Sequence, residues 1–149
     1  MRCVVQRVTA ASVSVEGLVV GEIRRGLVAL IGVANGDDPA DIDYVASKIR
    51  GLRVFADEQG KMNRSVLEAS GQVLAISQFT LLGDVRRGRR PAFGDAAPPA
   101  LARPAYDAVV EALRAAGVPV ATGVFQADMA LTLTNDGPVT IMIDSRRTF

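Results

Sequence analysis

A chain of 149 residues fits one compact domain, and 17 basic against 16 acidic side chains leave a net charge of only +1, which excludes polyanion binding driven by overall charge. A hydrophobic fraction of 49% with a mean hydropathy of +0.24 excludes a disordered or collagen-like chain and points to a Val/Ala/Leu core, part of which can line a subunit interface. There is no histidine, so any hydroxyl or water that reacts must be activated by another base, by a carboxylate-held metal or by the substrate itself.

Residues 2–9 and 12–16 are β-branched and partly alternating, and Gly17 before Leu18-Val19-Val20-Gly21 predicts a tight reversal into a third strand. The apolar run from Leu27 to Val33 reads as a central strand covered on both faces. Asp37-Asp38-Pro39 supplies N-cap residues and a first-turn proline for a helix over 39–51, in which Ile42, Val45, Ala46 and Ile49 recur at helical spacing. A short strand over 52–55, a polar loop over 57–63, a strand over 73–79 and a strong loop signal over 83–91 follow. A second helix over 99–116 has Leu101, Tyr106, Val109, Val110 and Leu113 to face the sheet and Gly117 as its stop. Strands near 118–122, 127–134 and 139–144 close the chain, and no linker or repeat divides it, so residues 1–149 read as one domain.

Cys3, the only cysteine, lies in an apolar run and reads as a buried side chain. No apolar stretch resembles a signal segment or reaches the roughly 18–20 residues of a membrane span, so a cytoplasmic protein with no membrane partner is expected. Asp37, Asp38, Asp41 and Asp43 sit where a helix macrodipole favours negative charge, and no metal site or cofactor is assigned.

Three segments carry candidate chemistry. Ser77-Gln78-Phe79-Thr80 ends an apolar strand with two hydroxyls and backbone N–H groups that can form an oxyanion site. Neither hydroxyl has a histidine or nearby lysine as base, which favours backbone donors over a nucleophilic Thr80. Asn135-Asp136-Gly137-Pro138 joins two strands; with a cis Gly-Pro bond it would present two carbonyls on a rigid platform, and with a trans bond it is an ordinary connection. Arg86-Arg87-Gly88-Arg89-Arg90 is a phosphate-contact candidate or a solvated loop. Phe125 and Met129 flank a strand start and read first as core.

Together with Gln6-Arg7-Val8, Leu52-Arg53-Val54-Phe55, Gly60-Lys61-Met62-Asn63 and Arg89-Arg90-Pro91, the ordered pair Ser77-Gln78-Phe79-Thr80-Leu81 and Asn135-Asp136-Gly137-Pro138-Val139-Thr140 closely resembles the D-aminoacyl-tRNA deacylases, also called D-tyrosyl-tRNA deacylases, from end to end. The resemblance implies a single-domain three-layer α/β fold, with two packed mixed β-sheets and helices on one side, assembled as a homodimer. It implies hydrolysis of D-aminoacyl-tRNA and glycyl-tRNA in translation quality control, with the 3′-terminal adenosine bound and neither membrane nor DNA as partner. Gly137 and Pro138 of one subunit, held by Arg7, would enter the other's pocket and exclude L-side chains. Ser77, Gln78, Phe79 and Thr80 would hold the aminoacyl ester, and Phe125, Ala127 and Met129 the adenosine. The family often has glycine where this chain has Gln126. From other classes, a non-catalytic RNA-binding dimer and an esterase with a nucleophilic Thr80 are the alternatives.

Overall fold

The computed structural model describes residues 1–149. In chain order it contains β1 (Arg2–Val15), β2 (Leu18–Ile23), β3 (Gly26–Gly32), α1 (Pro39–Gly51), β4 (Phe55–Ala56), β5 (Met62–Arg64), β6 (Gln72–Ser77), a 3-10 turn (Phe79–Leu82), α2 (Pro99–Ala115), β7 (Val120–Thr122) and β8 (Ala130–Asp144). Neither helix is long and apolar enough to cross a membrane. Hydrogen bonding joins six strands into one mixed sheet in the order β2-β1-β3-β6-β7, with β8 also on β1, while β4 and β5 form a small ribbon. The β3–β6 and β6–β7 pairs are parallel and the rest antiparallel.

β1 is one long strand where the sequence suggested two. Its first half pairs with β3 and its second half with β2, while β8 runs beside both and keeps the ladder going across the change of partner. β3 lies at the middle of the sheet, and its alternating side chains serve two cores. Leu27, Ala29 and Ile31 join a cluster with Val45 and Ile49 of α1 and Tyr106, Val109 and Leu113 of α2. Val28 joins the opposite cluster with Val8, Val13, Ile23, Leu74 and Ile76. Burying these side chains contributes about 1.5–3 kcal/mol each before the entropy of ordering them is charged against it.

α1 begins as its sequence requires. Asp38 caps the backbone N–H groups of Ala40 and Asp41, Asp41 answers with a bond from the Asp38 N–H, and Pro39 opens the helix. Asp37 does something else: its side chain is buried and bound at 2.6 Å to the N-terminal amine of Met1, so it is a structural ion-pair partner and not a helix-dipole charge. On α2, Leu101 is 64% exposed and Ala102 takes the inward position expected of it. The end of the expected 57–63 loop is the start of β5, which closes a hairpin on β4 through a turn organised by the Asp57 carboxylate. Cys3 is buried, and that burial pushes its thiol well above the ordinary range, so it is inert.

Candidate active site

β6 ends at Ser77, two residues earlier than its apolar pattern suggested, because the chain turns at Gln78 into the 3-10 turn. Gln78 N–H still bonds to Ile31 O at 2.7 Å, anchoring the turn to the end of β3. The turn's first internal bond runs from Leu81 N–H to Gln78 O at 3.3 Å, so the N–H groups of Phe79 and Thr80 lie upstream of it and are not consumed by it. Gly32 makes the approach possible: a Cβ there would stand 2.6 Å from Leu82 Cδ2 and 2.7 Å from Gln78 O. From the other side Arg2 donates through Nη1 to Leu81 O at 3.1 Å, with its Nε 3.7 Å from the buried Asp144 carboxylate.

A cleft of about 540 Å³ opens beside this turn, lined by Ser77, Gln78 and Phe79 on one side and Phe125, Gln126, Ala127 and Met129 on the other. Its walls are largely apolar, with Ile31, Ile76, Ala102 and Tyr106 contributing, and the volume suits a nucleoside-sized ligand. Tyr106 donates its hydroxyl to Ala75 O at 2.9 Å, and burial above all pushes its phenol upward, so it shapes the wall and is no base. Phe125 packs against Tyr106 with ring centroids 6.2 Å apart. Phe79 is 58% exposed and meets Phe93 edge-on, at 5.0 Å between centroids.

Thr80 does not line the cleft; it is exposed, and its hydroxyl accepts a short hydrogen bond from Gln78 Nε2. No imidazole or amine stands beside it to take a proton. Gln126 has φ +64°, a left-handed backbone that favours glycine. Its side chain is exposed, so the tight turn between Phe125 and Ala127 is made at a conformational cost of its own.

The other expected site residues lie elsewhere on the chain. β8 leaves its ladder with β1 between Asn135, opposite Val8, and Thr140, opposite Gln6, so residues 136–139 project from the strand. The Gly137–Pro138 peptide bond is cis and both residues are exposed. Asn135 braces the loop: its Oδ1 accepts from Val139 N–H at 3.0 Å and its Nδ2 donates to Thr140 Oγ1 at 3.0 Å. Arg7 holds it from beneath, with Nε 3.2 Å from Asp136 O and 3.1 Å from the Asp136 carboxylate, and Nη1 donating to Val54 O. Arg7 pairs with Leu27 at the start of β3, whereas Ser77 pairs with Ile31. Four residues of strand, roughly 13 Å, therefore separate the two levels, and neither Gly137 nor Pro138 lines the cleft of its own chain.

In the arginine loop all four side chains are exposed. Arg86 is tied back to Asp84 by bonds of 2.9 and 2.7 Å, and that pairing pulls the Asp84 carboxyl down to about 2. Arg87, Arg89 and Arg90 have no carboxylate within ion-pair distance and remain available. Sequence reasoning missed Arg2, Gly32 and the wall role of Tyr106. Only the last left a signal, as a tyrosine on an otherwise aliphatic helix face.

The apolar cleft, lined on one side by Ser77, Gln78 and Phe79, is a substrate site of a kind found in hydrolases, and this chain has no histidine. The chain belongs to the D-Tyr-tRNA(Tyr) deacylase family, whose model matches residues 4–144. It is 61% identical over 149 residues to a D-aminoacyl-tRNA deacylase of Symbiobacterium thermophilum, covering 100% of this chain and 99% of that protein. It is 61% identical over 150 residues to one of Sorangium cellulosum, covering 100% of each. A solved structure described as a c-Myc DNA unwinding element binding protein superposes with a TM-score of 0.92 at 40% identity, over 97% of this chain and 98% of that one. A probable eukaryotic D-amino acid tRNA deacylase shares the fold, with a TM-score of 0.78 at 18% identity over 95% and 97% of the two chains.

Proposed function

We propose that this protein hydrolyses the ester between a D-amino acid, or glycine, and the 3′-terminal adenosine of tRNA, releasing the free amino acid and tRNA. The observation that carries the reading is the convergence of Ser77–Phe79 and Phe125–Met129 on one apolar cleft of about 540 Å³. The adenosine occupies the Phe125, Ala127 and Met129 side and the aminoacyl ester lies along Ser77, Gln78, Phe79 and Thr80. Water attacks the ester carbonyl carbon, and Phe79 or Thr80 N–H stabilises the developing oxyanion, a contribution typically of 10²–10³ in rate per donor. The ribose 2′-hydroxyl accepts the water's proton as it passes its own to the departing 3′-oxygen, so no side chain need titrate. The hydrogen bond that Thr80 Oγ already accepts argues against its use as a nucleophile.

The site is completed in a homodimer, where Gly137 and Pro138 of the partner enter the cleft and their carbonyls fill the space an L-side chain would need. Two features support this: the loop is exposed yet braced by Arg7 and Asn135, and it stands apart from its own cleft. β8 also pairs only with β1, leaving an open edge with Met142 62% exposed. In this reading the two cores separate three layers, Arg87, Arg89 and Arg90 meet tRNA phosphates with Arg86 as an outer member, and the work is quality control of translation in the cytoplasm. DNA is not proposed as a ligand.

The exposed arginine loop favours one second reading, a nucleic-acid-binding dimer without catalysis. Release rates from matched D-, L- and glycyl-tRNA separate the two. Rapid loss of the D and glycyl esters with the L ester spared is expected, and tRNA binding without cleavage supports the second reading.

A further inference from the structure

A second cavity, of about 300 Å³, shares Tyr106 and Phe125 with the cleft. One of its walls is a charged stripe on α2. Arg103, Asp107, Glu111 and Arg114 follow one another at spacings that place them on a single helix face, and all four line the cavity. Thr122, the last residue of β7, and Gly123 also line it. Arg103 holds its guanidinium 5.5 Å from the centre of the Phe125 ring and 3.5 Å from the Asp107 carboxylate. Arg114 bonds to Glu111 at 2.8 Å and to Val120 O at 3.3 Å, which sets a carboxylate and a guanidinium side by side at the cavity edge.

Charge pairs on an exposed helix face are ordinarily worth less than about 1 kcal/mol and serve solubility. This stripe differs in lining a cavity that adjoins the cleft, the two sharing Tyr106 and Phe125. A nucleoside in the cleft that belongs to an RNA chain is joined through its 5′-phosphate to a preceding nucleotide, which must leave over the rim. The weak Arg103–Asp107 pair can yield its guanidinium to that phosphate, since a charge-assisted bond to phosphate is stronger than an exposed pair at 3.5 Å. Beyond it, Glu111 offers an acceptor beside the donors of Arg114. That pattern is complementary to cytosine, which presents an amino donor next to ring acceptors, and opposes uracil, which presents a carbonyl where the amino group would be.

We propose that this groove binds the nucleotide preceding the terminal adenosine and selects cytidine there, Arg103 taking the linking phosphate and Glu111 with Arg114 reading the base edge. The inference rests on the deacylase reading and extends its substrate by one nucleotide. The test uses three esters of the same D-amino acid: on adenosine alone, on the dinucleotide CpA and on UpA. Wild-type protein is expected to favour the CpA ester over the UpA ester about ten-fold in kcat/KM. Glu111→Ala should remove most of that preference and Arg103→Ala should lower both dinucleotide rates about ten-fold. Neither should change the rate on the adenosine ester or the melting temperature.

Equal losses on the adenosine and dinucleotide esters, or no loss on the dinucleotides, would overturn the groove assignment and leave the deacylase reading standing. Failure of the wild-type protein on all three esters and on D-aminoacyl-tRNA would instead overturn the deacylase reading.

Discussion

Replacing Gly137 with alanine tests the loop that the account places in the partner's cleft. Gly137 has φ +120°, where an L-residue is strained, and its new Cβ would stand 2.8 Å from Arg7 Nη2, 2.9 Å from Val139 Cγ2 and 3.2 Å from Val139 N. None of these can easily give way. Arg7 is fixed by its bonds to Asp136 and Val54, and the Val139 N–H is bonded to Asn135. Strain of this kind costs about 1–3 kcal/mol, and at roughly 2–4 °C per kcal/mol for a domain of this size the melting temperature should fall by about 2–12 °C. Because the loop must shift to fit the methyl group, the ratio of D- to L-ester hydrolysis should fall at least about ten-fold, equivalent to ~1.4 kcal/mol of discrimination. Differential scanning calorimetry and paired D- and L-aminoacyl-tRNA assays read the two effects. Unchanged melting together with an unchanged D:L ratio would mean that residue 137 neither strains the loop nor takes part in selection.

Thr80→Ala should keep kcat/KM on D-aminoacyl-tRNA within about ten-fold of wild type, whereas a nucleophilic hydroxyl would be worth far more; abolished turnover in a folded variant would sink the side-chain-free mechanism. Gln126→Gly should raise the melting temperature by roughly 2–4 °C, because relief of left-handed strain of about 1–2 kcal/mol exceeds the extra backbone entropy of glycine, about 0.5–1 kcal/mol. A lower melting temperature would show that the Gln126 side chain makes a compensating contact. Acid should destabilise the protein partly through Asp144. Burial pushes its carboxyl up, but hydrogen bonds from Thr148 and the Arg146 N–H and the charges of the N-terminus and Arg2 outweigh that and leave it lowered. A lowered folded-state value means stability present above the unfolded value, about 4, and lost as pH falls through the folded one. Asp144→Asn should therefore flatten the fall of melting temperature below about pH 4, and an unaltered slope would contradict the assignment.

Local rules carried the helices. Asp38, Pro39 and Gly117 mark termini through capping chemistry that acts within a few residues, and the structure uses all three. The joining of two predicted strands into β1 was not legible, because it depends on β8, more than 100 residues away, continuing the ladder. Likewise the 3-10 turn cut β6 short by sitting against Gly32, a close approach that no periodicity announces. Ser77–Phe79 were legible as a strand end with hydroxyl and N–H groups, and the pocket role of Phe125, Ala127 and Met129 only through the family resemblance; the pairing of β6 with β7 brings the two segments to one cleft. Arg2 and Asp37 act over long sequence separations through ion pairs and carbonyl contacts, which leave no pattern in neighbouring residues.

The most direct test of the shared site mixes two defective subunits. One carries Ala127→Trp, which fills the cleft but leaves the 136–139 loop intact, and the other carries Gly137→Ala, which keeps the cleft but displaces the loop. A site built across the dimer gives mixed dimers one sound cleft facing one sound loop, so selective D-ester hydrolysis should return on mixing after subunit exchange. If each cleft used its own loop, no mixed dimer would contain a complete site, and selectivity that stays lost in verified mixed dimers would contradict the account.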